Sequence, residues 1–248
     1  MSGDPLAPLI EARRLTKRFQ GLVSVDDVSF TLVRNEVLGL VGPNGAGKTT
    51  LINLISGALA PDVGEVWFEG ARIDRMPPYR RAHLGVGRTF QVMKPFPGLS
   101  VLENVTVGAL FGRGPRLSRK KAQELAREWL AFTGLDRRID QRADSLGGPD
   151  RKRLELAKAL AMGPKLLLLD EVMAGLNAVE VDEVVEIIRK IRRKGVGMLV
   201  VEHVMRAIRQ LSDRVLVLHH GHKIAEGSVD AVFRNGAVIE AYLGRRRA

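Results

Sequence analysis

An α/β fold with a parallel sheet at its centre is predicted by three features of this 248-residue sequence. The apolar run Val37-Leu38-Gly39-Leu40-Val41 has the pattern of a buried strand, and the segment from Thr49 to Ile55 then carries apolar residues at helical spacing. Four leucines at 166–169 make a second buried strand, ending in Asp170-Glu171. Beyond it, Asn177 and Glu180 form a capping pair for a helix lined by Val181, Val184, Val185, Ile188 and Ile191. The apolar runs 198–201 and 215–218 follow. Strands that alternate with helices in this way pair in parallel, since each helix carries the chain back to the same edge of the sheet.

Two further regions complete the expected architecture. Residues 9–33 alternate around Leu22, Val23, Val25, Val28, Phe30 and Leu32, and residues 65–68 are strand-like, so short strands should form an antiparallel layer beside the sheet. From about 92 the character becomes helical. Leu125, Trp129 and Phe132 define a helix over 121–132 capped by Ser118, and Leu154, Ala157, Leu160 and Ala161 define another over 151–161. The chain is expected to be one domain, with a core from about 1–91 and 162–248 and an inserted helical lobe from about 92–161.

Composition narrows the partners. There are 39 Lys and Arg against 28 Asp and Glu, a net charge of +11, which favours anions: nucleotides, nucleic acid or an acidic membrane face. The cations are scattered and few aromatic residues accompany them, so they read as solvated helix faces and no nucleic-acid partner is expected. The absence of cysteine excludes disulfides and thiolate metal sites. No apolar run approaches a membrane span and the first residues lack a leader pattern, so a cytoplasmic chain is expected.

The segment Gly42-Pro43-Asn44-Gly45-Ala46-Gly47-Lys48-Thr49 fills every position of a phosphate-binding loop and lies between strand and helix, as that loop requires. Its glycines let successive amides wrap a polyphosphate at the positive end of the helix dipole. Lys48 should reach the β- and γ-phosphates and the Thr49 hydroxyl should ligate Mg²⁺, with Thr50 completing the cradle. In an open parallel sheet, ligands bind at the carboxyl ends of the strands, and the remaining reactive residues fall there. Asp170 is expected to hold Mg²⁺, and Glu171 to polarise a water aimed at the γ-phosphate. His203 ends the next strand, where it can sense the γ-phosphate. Gln91 opens the lobe, where its amide can touch both metal and water. The trio His219, His220 and His222 raises a metal reading, with His220 and His222 on one strand face, against a solvent-exposed hairpin end.

This ordered set resembles the ATP-binding-cassette ATPases, which are P-loop NTPases with a RecA-like core, an antiparallel β subdomain and an inserted helical lobe. The phosphate loop, Gln91, Asp170-Glu171, the Ala174-Gly175-Leu176-Asn177 loop and His203 all stand in the family's order. Within the family the chain is most similar to the ATPase subunits of branched-chain amino acid importers. Gly87-Arg88-Thr89-Phe90-Gln91, Val201-Glu202-His203, Lys223-Ile224-Ala225-Glu226-Gly227 and the ending Ile239 to Gly244 are typical of that group. The resemblance implies ATP and Mg²⁺ as cofactors, Phe19 stacked on adenine, and a peripheral place on the inner membrane face. It also implies a second ATPase subunit, separate permease subunits and, indirectly, a periplasmic solute-binding protein. Related cassettes for urea, amides or lipopolysaccharide share many of these segments.

One departure stands out. In this family each nucleotide is completed by the other subunit's signature segment, usually Leu-Ser-Gly-Gly-Gln, and here the matching residues are Leu146, Gly147, Gly148, Pro149 and Asp150. Gly147 lacks the hydroxyl, Pro149 has no N–H, and Asp150 brings negative charge toward a phosphate. A one-residue slip would use Ser145 and need an inserted residue before the helix. A heterodimer is therefore expected, in which a partner with a full signature completes the site built on Lys48 and Glu171. Competing readings are a soluble cassette protein of translation or DNA repair, disfavoured by the single cassette, and a P-loop kinase, for which no acceptor pocket is evident.

Overall fold

The computed structural model describes residues 7–89 and 95–243. The chain begins with β1 (Pro8–Phe19) and β2 (Leu22–Val33), then β3 (Val37–Val41) and α1 (Lys48–Ser56), which flank the phosphate loop. Next come β4 (Val63–Phe68), β5 (Ala71–Arg72), α2 (Pro78–Leu84) and β6 (Val86–Arg88). Three helices follow: α3 (Val101–Phe111), α4 (Arg119–Phe132) and α5 (Gly148–Ala161). The last third alternates β7 (Leu166–Asp170), α6 (Ala178–Arg193), β8 (Gly197–Val201), α7 (Met205–Leu211), β9 (Arg214–His219) and β10 (His222–Gly227). It closes with α8 (Val229–Phe233) and α9 (Gly236–Leu243).

The apolar runs became neighbours. The central sheet has the order β10-β9-β3-β8-β7-β6, parallel throughout except for the antiparallel β9–β10 hairpin. All five positions of β3, β7 and β8 are buried, because helices or the second sheet cover both faces. That second sheet is the antiparallel layer, of order β2-β1-β4-β5. Its inner residues, among them Leu15, Val28 and Phe68, pack with Leu38, Leu40, Leu51 and Ile52 into one core. On the opposite face Leu167, Leu169, Val184, Ile188 and Ile208 make a second core. A third lies inside α3–α5 around Val105, Ala126, Leu130 and Leu154. Helix α5 belongs to both of the last two, with Leu156 and Leu160 in one and Leu154 and Ala157 in the other.

The expected caps are present: the Ser118 hydroxyl accepts from the Lys121 amide, and Asn177 with Glu180 forms a reciprocal capping box. Two details differ from the sequence pattern. The first two strands of the antiparallel layer run to twelve residues each, since bulges let the chain continue through local breaks in alternation. Asp27, at φ 49°, marks one such break, so Val25, Val28, Phe30 and Leu32 are buried while Leu22 is exposed. In α4 the deepest face is Ala122, Ala126 and Leu130; Leu125, Trp129 and Phe132 flank it half-buried. Small residues let the helices approach closely there.

The far end of α1 is held by a buried arginine. Arg81, 1 % exposed, donates from Nη1 to the carbonyls of Leu54 (2.6 Å) and Ile55 (2.8 Å), from Nε to Met76 and from Nη2 to Asp74. Burial lowers its pKa to about 10. Replacement by leucine strips four buried carbonyls of their donor, and should cost on the order of 2–5 kcal/mol of stability in urea denaturation.

Candidate active site

The phosphate loop bridges the end of β3 and the start of α1, and its shape depends on three backbone positions of positive φ. Gly42 has φ 152° and Gly47 φ 103°; a Cβ on the first would lie 2.1 Å from the Leu218 carbonyl oxygen and on the second 2.3 Å from that of Ser24. Gly45, at φ 77°, faces open space. The Gly221 amide, in the β9–β10 turn, donates to the Ala46 carbonyl, and the Ser24 and Thr50 hydroxyls meet at 2.8 Å. Gly47 caps α1 with no side-chain acceptor, so its first-turn amides have no carbonyl one turn behind them and point toward the cleft.

That cleft, of about 190 Å³, is lined by Ser24, Asn44 to Thr50, Glu171 and His203. Lys48 is buried and donates to the carbonyls of Gly42 (2.7 Å) and Pro43 (2.9 Å). Burial lowers its pKa, opposed by the charges of Glu171 and Asp170. The ammonium is thus held over the loop by two carbonyls, positioned for an anion. Thr49 is exposed at the mouth of the cleft.

Opposite stand the strand ends. Asp170 is 2 % exposed; its Oδ2 accepts from Arg88 Nη2 at 3.0 Å, while its buried Oδ1 has no hydrogen-bond partner among the described residues. Arg88 also donates to Asn53 Oδ1 (2.6 Å), tying α1 to β7. Glu171 adopts φ 52°, a strained conformation for a residue with a side chain, and its Oε1 accepts from His203 Nε2 at 2.9 Å. Glu202, 1 % exposed, accepts the Met173 amide at 2.8 Å. Burial pushes its carboxyl up to about 7, against the pull of the Met173 amide and of Lys152.

The fold therefore brings together residues 42–50, Asp170, Glu171 and His203. Gln91 lies outside the described residues. Phe19 is 43 % exposed at the end of β1, with the Lys17 ammonium 5.7 Å above its ring. Leu146 is buried, Gly147 is the N-cap of α5, and Gly148, Pro149 and Asp150 form its first turn. The Asp150 carboxylate is turned back to Arg138 (3.1 Å) and Arg153 (3.9 Å), so its charge is offset within the lobe, contrary to the expectation of a bare anion facing a phosphate. Ser145 ends a 3-10 turn with its hydroxyl donating to Arg142, so the slipped alignment is not adopted. His220 stands in the turn at φ 48°, which breaks the strand alternation that was to join it to His222. No metal-binding cluster occurs among the described residues.

Arg88, Lys152 and Glu202 escaped the sequence reading. Glu202 alone left a signal, a charged residue at the end of an otherwise apolar strand.

Geometry and fold together define a P-loop ATPase of the cassette type, and the comparisons with known proteins extend this. Residues 25–174 match the ABC transporter family and residues 222–248 the branched-chain amino acid ATP-binding cassette transporter family. The chain belongs to the ABC transporter ATP-binding proteins. It is 35 % identical over 246 residues to the probable branched-chain amino acid transport ATP-binding protein LivG of Archaeoglobus fulgidus, covering 95 % of each chain. It is also 35 % identical to the lipopolysaccharide export system ATP-binding protein LptB of Acidithiobacillus ferridurans, covering 96 % of this chain and 98 % of that one. The crystal structure of the ADP conformation of an ATP-binding cassette of an ABC transporter superposes with a TM-score of 0.86 at 30 % identity, covering 96 % of this chain and 100 % of the other.

Glu202 gives the site a pH signature. The folded carboxyl keeps its proton to about 7 against an ordinary value of 4.5, so between these limits the folded state binds more protons and stability falls as pH rises. Glu202→Gln removes that dependence. Relative to the parent, the variant should gain on the order of 2–3 kcal/mol between pH 4.5 and 8 in urea denaturation, and an unchanged difference would refute the assignment.

Proposed function

We propose that this chain powers the uptake of branched-chain amino acids through separate transmembrane subunits, as the ATP-hydrolysing subunit of an importer. The match of residues 222–248 to the branched-chain cassette family supports this cargo over lipopolysaccharide, urea or amides, because the ATP site itself carries no information about solute. No helix among the described residues is long and apolar enough to cross a membrane, which suits a peripheral subunit docked on permease partners. Those partners engage the lobe beside residues 92–112, and a solute-binding protein delivers the cargo on the far side. A soluble role in translation or repair has no observation in its favour.

The chemistry follows from the residues at the strand ends. ATP would lie with adenine on Phe19, its phosphates on the backbone N–H groups of 44–50 and on Lys48, which would exchange its carbonyl partners for phosphate oxygens. The hard oxygens of Thr49 and Asp170, with Gln91, would hold Mg²⁺, and the buried lone Oδ1 of Asp170 fits that demand. Bound there, the ion neutralises the β- and γ-phosphates. Glu171 orients and polarises the attacking water, and His203, already on the Glu171 carboxylate, senses the γ-phosphate. The observation that carries the reading is this convergence of Lys48, Glu171 and His203 on one cleft, with Asp170 buried beside Glu171 at the strand end.

Lys48→Ala should abolish measurable ATP binding in calorimetry, whereas Glu171→Gln should keep affinity, lose turnover and trap a closed dimer in size-exclusion chromatography. Normal turnover by Glu171→Gln would remove that residue from its role.

The signature segment points to a second ATPase. The missing hydroxyl at Gly147 and the missing N–H at Pro149 remove hydrogen bonds to a charged group, each worth about 1.5–3 kcal/mol. A partner with a full signature restores the site on Lys48. Transporter reconstituted with this chain as its sole ATPase should hydrolyse ATP at a small fraction of the rate of the two-ATPase complex, and equal rates would overturn the pairing.

A further inference from the structure

We infer that Lys152 and Glu202 act as a pair of positioning residues, fastening the turn Glu171–Ala174 to the signature helix α5 and so setting the aim of the Glu171 carboxylate. The inference rests on the proposed role of Glu171 and adds two residues to it.

The turn is gripped from both sides. From α5, the Lys152 ammonium donates to the Ala174 carbonyl at 2.5 Å and reaches the Glu171 carbonyl at 3.4 Å. From the end of β8, Glu202 Oε1 accepts the Met173 amide at 2.8 Å. Between these anchors Glu171 holds its strained φ of 52°, with its own amide donating to Val201, the residue before Glu202. Strain of this kind persists only where the surroundings over-determine it, and here three hydrogen-bonded anchors do so within four residues.

The pair is also joined by charge. Burial lowers the Lys152 pKa, and the nearby charges of Glu202 and Glu171 oppose that. Glu202 Oε2 is buried with no hydrogen-bond partner among the described residues, and the Lys152 ammonium opposes the burial that favours its protonated form. A buried carboxyl group and a half-buried ammonium are costly to maintain, and neither lines the phosphate cleft. Their common object is the turn. Because His203 follows Glu202 directly and contacts Glu171, a shift of Glu202 moves both the carboxylate and its partner. Lys152 lies two residues beyond the signature segment, so a displacement of α5 reaches the turn through this one side chain.

The test is a double-mutant cycle on the chain co-purified with its membrane subunits, comparing Lys152→Met, Glu202→Met, the double variant and Lys152→Arg. Each single substitution should lower kcat for ATP roughly ten- to a hundredfold, as small misplacements of a reacting group do, while KM and calorimetric ATP affinity stay within about twofold. The double variant should be no worse than the poorer single, and Lys152→Arg, which keeps a cation, should recover part of the rate. Glu202→Met keeps the side-chain length while removing the acceptor of the Met173 amide, and it carries the test if Lys152→Met does not fold, as judged by thermal melting. Parental kcat in both singles, losses that multiply in the double, or losses confined to KM would overturn the inference. Turnover by Glu171→Gln measured alongside would instead strike at the proposed role of Glu171.

Discussion

The site depends on a close approach of backbone to backbone. At Gly42 the chain passes so near the β9 carbonyl of Leu218, and at Gly47 so near the β2 carbonyl of Ser24, that no side chain fits at either point. These contacts pin both ends of the phosphate loop, one to the central sheet and the other to the antiparallel layer. The loop between them has little freedom, and the Lys48 ammonium closes it by bonding two of its own carbonyls. A ligand therefore meets a finished cradle whose lysine changes partners, not a flexible loop that must first be ordered.

Around that cradle, charge is arranged in two layers. The inner layer faces the cleft: Lys48 from the loop, with Glu171 and His203 from the strand ends. The outer layer faces the inner one from behind. Arg88 takes one oxygen of Asp170 and leaves the other for a cation, while Lys152 and Glu202 hold the turn that carries Glu171. In a low-dielectric interior each unpaired charge would be costly, so the outer layer is what lets three carboxylates lie close together.

Much of this was legible in the sequence, for identifiable reasons. Buried parallel strands are continuous apolar runs, so Leu166 to Leu169 announced itself and placed Asp170 at a strand end. The phosphate loop is a local motif whose chemistry travels with its spacing. The outer layer was not legible, because Arg88 and Asp170 meet across 82 positions of sequence and nothing about either residue alone foretells the other. The antiparallel layer was read too short since a bulge at Asp27 resets the alternation that periodicity relies on. At the histidine hairpin, alternation failed for the opposite reason: the turn falls inside the run, so His220 belongs to neither strand.

The arginine sealing α1 has a consequence for the opposite end of that helix. A helix of nine residues is too short to persist in water alone, and both its packing in the core and the bonds to its far carbonyls keep its amides aligned. Arg81 occupies two of them in the ligand-free chain. The oriented amides at the near end of α1 are therefore already in place in the ligand-free chain.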